Sequence, residues 1–247
     1  MHALVLAGGE GSRMAADGVA APKALVELGG RPQLVRLLET CLELGSPTAT
    51  CLIRDDVPAG APGAEPWAHL PAERVRVLRC HTLSSLHTLV EGLARLPAGP
   101  VFCTMVDTVM PRTEWRRAYD AMERALAGGA DAALLTTPFI DDEKPLYVRV
   151  DPAGRVREVG PTPMEPLAVT GGVYAFGPRA RSAAAAALLA GHARMRALLE
   201  ILTHDQVVVA VETAKVIDLD HRSDLLAADA WLAAVDPRPY ALNRTLS

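Results

Sequence analysis

Apolar positions along this chain fall into short runs separated by stretches of helical period. Strand-like runs cover residues 3–6, 49–53, 75–78, 101–105, 132–136, 146–150, 172–176 and 206–211. Between them apolar residues recur at helical spacing, as Leu34, Leu37, Leu38 and Cys41 do within 32–44. Further helices are predicted over 83–96, 111–126, 178–189 and 195–203, with a last one over 223–235. Strands alternating with helices imply crossover connections around a mainly parallel sheet. Asp151-Pro152-Ala153-Gly154 supplies turn chemistry between two strand-like runs, which reads as a hairpin. Residues 55–73, rich in Pro, Ala and Gly, read as a surface loop. With no internal repeat, residues 1–247 are read as one α/β domain.

The first apolar run empties into Gly8-Gly9-Glu10-Gly11-Ser12, closed by Arg13, and Pro22-Lys23 follows. Glycines without Cβ let backbone N–H groups approach an anion, and a helix starting there would add the positive end of its dipole. Arg13 and Lys23 bring mobile positive charge for several phosphates. The candidate nucleotide cradle is therefore Leu6, Ala7, Gly8, Gly9, Glu10, Gly11, Ser12, Arg13 and Lys23. It is not a Walker A loop, because no Lys-Ser or Lys-Thr pair follows the glycines. Nor is it a dinucleotide fingerprint, because Met14 stands where the third glycine belongs.

Composition narrows the partners. A chain of 247 residues suffices for one large domain, which buries roughly 70–75% of its unfolded surface. Its 29 acidic and 25 basic side chains give a net charge of −4, with no basic stretch. That balance argues against nucleic acid or an anionic membrane as partner. No apolar run reaches the length of a spanning helix and no signal peptide is read, so a cytoplasmic location is expected. Cys41, Cys51, Cys80 and Cys103 lack paired spacing and read as buried, reduced thiols.

Leu-Ala-Gly-Gly-x-Gly-x-Arg-Met at 6–14, followed by Pro-Lys-x-Leu-Val at 22–26, resembles the signature of the sugar-1-phosphate nucleotidyltransferases, or NDP-sugar pyrophosphorylases. Relatives of that family transfer cytidylyl groups to phospho-alcohols or act on the molybdenum cofactor. The resemblance implies a nucleotide-diphospho-sugar transferase-like three-layer sandwich with a mixed, mainly parallel sheet. It also implies Mg²⁺-dependent attack of an acceptor phosphate on the α-phosphorus of an NTP.

Joining two anions requires neutralisation, which a divalent ion held by carboxylates provides. Asp107 ends the apolar run 101–106, where open α/β sheets place ligand-binding groups, and it resembles the family's strand-end metal aspartate. A strand-terminal aspartate also serves as a turn former or helix cap. The stretch 215–225 resembles the family's late Asp-x-Asp-Thr-Pro-Glu-Asp-Leu, with His221-Arg222-Ser223 replacing Thr-Pro-Glu. In an extended run Asp218 and Asp220 share a face, and either is a candidate second Mg²⁺ ligand. Ser223 or Asp224 suits a helix cap.

The resemblance turns the stretch 80–87 toward the nucleobase, with Ser84 and Ser85 as base contacts or N-caps. The strand beginning at Val169 resembles its Gly-x-Tyr-x-Phe element, which makes Thr170, Gly171 and Gly172 candidate acceptor contacts, with Lys144 and Arg194 as cations for the acceptor phosphate. Residues 1–110 would then bind the NTP, and 111–247 the acceptor and, through the late aspartates, the metal. No Gly-x-Ser-x-Gly elbow, cysteine-nucleophile context or zinc spacing is present, in keeping with the resemblance, which implies that the acceptor phosphate itself serves as nucleophile. The favoured reaction is NTP plus a sugar 1-phosphate giving an NDP-sugar and pyrophosphate. Alternatives are a cytidylyltransferase acting on a phospho-alcohol such as phosphocholine, a glycosyltransferase using Asp218-Leu219-Asp220, and a non-catalytic nucleotide-binding relative. A homodimer is common among the resembled enzymes.

Overall fold

Along the first strand, Ala3, Val5 and Ala7 face one apolar cluster while Leu4 and Leu6 face another. A strand apolar on both faces belongs in the middle of a sheet covered on each side. A computed structural model of the chain describes residues 1–9, 12–57, 65–141 and 144–236. Its first half runs β1 (His2–Ala7), α1 (Ser12–Ala16), a 3₁₀ turn (Lys23–Leu25), β2 (Glu27–Leu28), β3 (Arg31–Pro32), α2 (Gln33–Glu43), β4 (Ala49–Arg54) and β5 (Val75–Cys80). Then come α3 (Ser85–Ala94), β6 (Val101–Met105), β7 (Thr108–Val109), α4 (Arg112–Ala127) and β8 (Ala132–Thr137). The chain continues through β9 (Tyr147–Val150), β10 (Val156–Gly160), β11 (Val169–Phe176), α5 (Pro178–Leu189) and α6 (Met195–Asp205). It ends in β12 (Val208–Glu212), β13 (Ile217–Asp218) and α7 (Arg222–Val235).

The long strands form a mixed, nine-stranded sheet. β5, β4, β1 and β6 pair in parallel, β11 enters antiparallel to β6, and β8 and β12 follow beyond it, parallel to one another. The hairpin β9–β10 attaches to the start of β11 through Val169 and Tyr147. One face packs Leu34, Leu37, Leu38 and Cys41 of α2 with Trp115, Tyr119 and Met122 of α4. The opposite face packs Leu86, Leu89 and Leu93 of α3 with Ala180 and Ala184 of α5 and Leu198, Leu199 and Leu202 of α6. The architecture is the three-layer α/β sandwich expected. All four cysteines are buried and unpaired. No helix among the described residues is long and apolar enough to cross a membrane.

Departures from the sequence reading are local. The two-residue pairings β2–β3 and β7–β13 have no periodic signature and were not anticipated. The turn after β1 opens only a five-residue helix, so little of the expected dipole accrues there. Residues 58–64 of the loop read over 55–73 lie outside the described residues.

A third, smaller cluster sits at one rim of the sheet. Met14 from α1, Val26 and Leu28 after the 3₁₀ turn, Val109 of β7, Ile217 and Leu219 around β13, and Ala228 and Leu232 of α7 pack together. Leu219 is fully buried there. Leu219→Ala should destabilise the protein by about 2–5 kcal/mol in urea unfolding; a loss below about 1 kcal/mol would mean the cluster does not close around this residue.

Candidate active site

The carboxyl ends of the parallel strands and the start of the reversed β11 meet at one rim, the edge at which open α/β sheets bind ligands. β6 ends at Met105, and the chain turns through Val106, whose N–H donates to the Leu6 carbonyl. Asp107 follows, and β7 then pairs with β13 so that Thr108 lies opposite Asp218. The Leu219 N–H donates to the Asp107 carbonyl at 3.0 Å, fixing the two segments side by side. Buried Gln33 adds a bond from its Nε2 to the Thr108 carbonyl at 3.0 Å.

This pairing brings Asp107, Asp218 and Asp220 together. One carboxylate oxygen from each lies within 4.8 Å of the others. Asp218 and Asp220 do turn to one side while Leu219 points into the rim cluster. The run is not simply extended, however, because the Asp220 N–H folds back onto the Asp218 carbonyl at 3.0 Å. Asp224 completes the support: its Oδ2 accepts from the Asp220 N–H at 3.0 Å and the His221 N–H at 2.6 Å. His221 is the residue that caps α7, and Asp224 closes the reciprocal capping box; Ser223 takes no part in it.

Two cations face the three carboxylates. Lys23 Nζ donates to Asp107 Oδ2 at 3.1 Å and to Asp220 Oδ1, and Arg13 Nη1 donates to Asp220 Oδ2. Lys23 keeps only 11% of its side chain exposed, so these charges act through poorly screened surroundings. Burial presses its ammonium toward neutrality, but Asp107, Asp220 and Asp218 outweigh it and hold the pKa above the ordinary lysine value. Three carboxylates form an all-oxygen set of the kind a hard divalent ion takes.

Three adjoining clefts surround this centre. The first, about 300 Å³, is lined by Leu6, Ala7, Gly9, Arg13, Lys23, Asp107 and Asp220 among others. A second, about 240 Å³, extends past Gly8 and Gly9 to Arg54, Thr82, Ser84, Ser85 and Thr88. The third, about 180 Å³, runs from Asp107 and Asp218 past Thr108, Thr137, Lys144, Thr170, Gly171, Gly172 and Tyr174. Met105 borders all three.

Most of the sequence candidates line these clefts. Ser84 caps α3, accepting from the His87 N–H at 3.4 Å, and also borders the second cleft. Ser85 borders it too, while its hydroxyl accepts from the Met195 N–H at 3.0 Å. Gly8 packs so closely under α3 that a Cβ would lie 2.7 Å from Thr88 Oγ1. Glu10 and Gly11 lie outside the described residues, as does the side chain of Ser12. Gly172 sits in an irregularity of the β11–β8 register with φ +69, where a Cβ would stand 2.4 Å from Thr108 Oγ1.

Arg194 is the exception. It precedes α6 as its cap, and its neighbours Ala193 and Met195 bond to Leu86 and Ser85 of α3. It lines no part of the third cleft, because the α6 start docks on the α3 side of the sheet. Sequence reasoning missed Met105, Thr108 and Tyr174 as site walls. Their signal was adjacency: Met105 and Thr108 flank Asp107, and Tyr174 follows Gly172 by one alternation of the strand.

Removing the lysine exposes the repulsion it offsets. Lys23→Met should cost about 2 kcal/mol at pH 7, less than for a fully dry pair because the carboxylates keep some exposure. A raised lysine pKa contributes its stability below the ordinary value and loses it only as pH rises through the folded value. Urea unfolding at pH 7 and pH 9 should therefore give the same difference between variant and parent; a difference that vanishes by pH 9 would contradict the charge arrangement.

Residues 3–207 match the MobA-like NTP transferase domain family. No curated protein matches the chain. Among solved structures, the inositol-1-phosphate CTP transferase from T. maritima superposes with a TM-score of 0.75 at 14% identity, over 94% of this chain and 96% of that one. UDP-glucose pyrophosphorylase from Acinetobacter baumanii gives a TM-score of 0.77 at 14% identity, over 96% and 95%. HddC from Yersinia pseudotuberculosis gives 0.70 at 18% identity, over 94% and 100%. At such identities the likeness shows the fold, while the matched span carries the glycine turn, Arg13, Lys23 and Asp107. The chain belongs to the MobA-like NTP transferase domain family.

Proposed function

We propose that this nucleotidyltransferase transfers a nucleoside monophosphate from an NTP to a sugar 1-phosphate, releasing pyrophosphate and forming an NDP-sugar. The observation that carries the reading is the meeting of Lys23 and Arg13 with Asp107, Asp218 and Asp220 at the junction between two clefts. The clefts beside the glycine turn suit the NTP, with its triphosphate near Arg13 and Lys23 and its base toward Ser84 and Ser85. The third cleft suits the acceptor. On this reading the first half of the chain binds the NTP, and the second supplies most acceptor contacts and the late aspartates.

An oxygen of the acceptor phosphate attacks the α-phosphorus, and the bond to the β-phosphate oxygen breaks as pyrophosphate leaves. No protein nucleophile is needed, so the residues act by positioning and by offsetting charge. Asp107, Asp218 and Asp220 would hold Mg²⁺. A bound divalent ion supplies neutralisation of phosphate charge. Lys23 and Arg13 already face the carboxylates, so they stand ready to exchange carboxylate for phosphate oxygens.

The third cleft weighs against phosphocholine. A quaternary ammonium favours aromatic walls with open faces. Here Tyr174 is buried, and a ring face of Phe139 is taken by Lys215, 4.7 Å from its centroid. Thr108, Thr137 and Thr170 instead offer hydroxyls to a polyhydroxylated acceptor. Similar solved structures include proteins named for inositol 1-phosphate and UDP-glucose chemistry, which supports this choice.

The test is pyrophosphate release with Mg²⁺, pairing four NTPs with glucose 1-phosphate, inositol 1-phosphate and phosphocholine. Release is expected with a polyol phosphate; release with phosphocholine alone, or with no pair, would reject the reading. In the active pair, Asp107→Asn should lose at least about 100-fold in kcat, and unchanged turnover would remove Asp107 from the mechanism.

A further inference from the structure

Lys215 stands between β12 and β13, just before the strand that carries Asp218. Its Nζ lies 4.7 Å from the centroid of Phe139 and 4.8 Å from that of Trp231. Among the described residues, the half-buried ammonium thus meets two rings rather than a carboxylate. Phe139 follows β8 and walls the third cleft beside Ile140, Asp141 and Lys144. Trp231 belongs to α7 and packs on the rim cluster, away from every cleft lining. Val216, next to Lys215, lines the same cleft as Phe139.

A cation between two ring faces is attracted by the quadrupole of each, and partial burial strengthens both attractions. The contact therefore joins a cleft wall, the segment leading to Asp218, and the helix whose first turn holds Asp220 through Asp224. We infer that Lys215 is a positioning residue for the acceptor. It ties the Phe139 wall to α7, so that the third cleft keeps a fixed distance from the carboxylates. This rests on the assignment of the third cleft to the acceptor. The alternative role for a lysine here is direct contact with the acceptor phosphate, in which Trp231 has no part.

Three variants separate the two roles. Lys215→Met keeps length and removes charge. Lys215→Arg keeps a cation that stacks on aromatic faces. Trp231→Leu removes the far ring without touching the cleft. In the substrate-free protein, hydrogen–deuterium exchange over residues 137–141 should rise roughly tenfold in Lys215→Met and Trp231→Leu, and stay near the parent in Lys215→Arg. Exchange over β1 should be unchanged in all three. In the pyrophosphate assay, with glucose 1-phosphate or inositol 1-phosphate as acceptor, the KM for acceptor should rise about fivefold or more in the same two variants. The KM for NTP should stay within about twofold.

Unaltered exchange in either Lys215→Met or Trp231→Leu overturns the inference. So does an acceptor KM that rises in both lysine variants but not in Trp231→Leu, which would make Lys215 a phosphate ligand. If neither acceptor turns over, the assigned reaction fails, and the exchange measurement still decides whether Lys215 holds the wall.

Discussion

Three carboxylates within 4.8 Å of one another repel, and that repulsion is the constraint around which the rim of this protein is built. At such distances and an effective dielectric near 20, each like-charge pair opposes folding by about 3–4 kcal/mol before compensation. Lys23 and Arg13 supply the offset, but only because distant segments are forced to share one place. The small cluster joining Met14, Val26, Val109, Ile217, Leu219 and Leu232 provides that force. Met14 adjoins Arg13, Val26 closes the turn bearing Lys23, and Leu219 separates the two late aspartates. Apolar burial thus fixes the polar geometry one residue away at Arg13, Asp218 and Asp220, and three residues away at Lys23.

The reversed strand β11 contributes differently. The parallel strands bring their ends to the rim, whereas β11 brings its beginning. Near its start, Val169 and Thr170 line the third cleft, and Gly171-Gly172 then reach it as bare backbone. The irregular register there needs the left-handed conformation at Gly172, and Thr108 leaves no room for anything larger. One wall of the third cleft is therefore largely peptide at these glycines, held close to Asp107 by contact with the residue that follows it.

Much of this was legible from residues alone. The short unbroken apolar runs of β1 and β6 and the helical period of α2 follow from a sheet covered on both faces, and such burial leaves a trace in sequence. Asp107 stood out as a candidate because it ends an apolar run at the edge where open α/β sheets place ligand-binding groups, and the glycine turn lies on the neighbouring strand. The pairing of β7 with β13 left no such trace, since two-residue strands have no period and their partners are far apart in sequence. The family match itself ends at residue 207, so Asp218 and Asp220 were legible only through the resemblance of 215–225, and the backbone pairing that carries them to Asp107 is visible only in three dimensions. Arg194 misled because charge alone does not report which face of the sheet a helix start will join. Lys215 gave no signal at all, since a lysine facing two rings looks in sequence like any solvated lysine.

Met105 ends the central strand β6 and borders every cleft at the rim. On the proposed reading both reactants are accommodated around a single flexible thioether. On that same reading, exchanging this side chain reshapes the room for base and acceptor together, which couples selectivity for one partner to selectivity for the other.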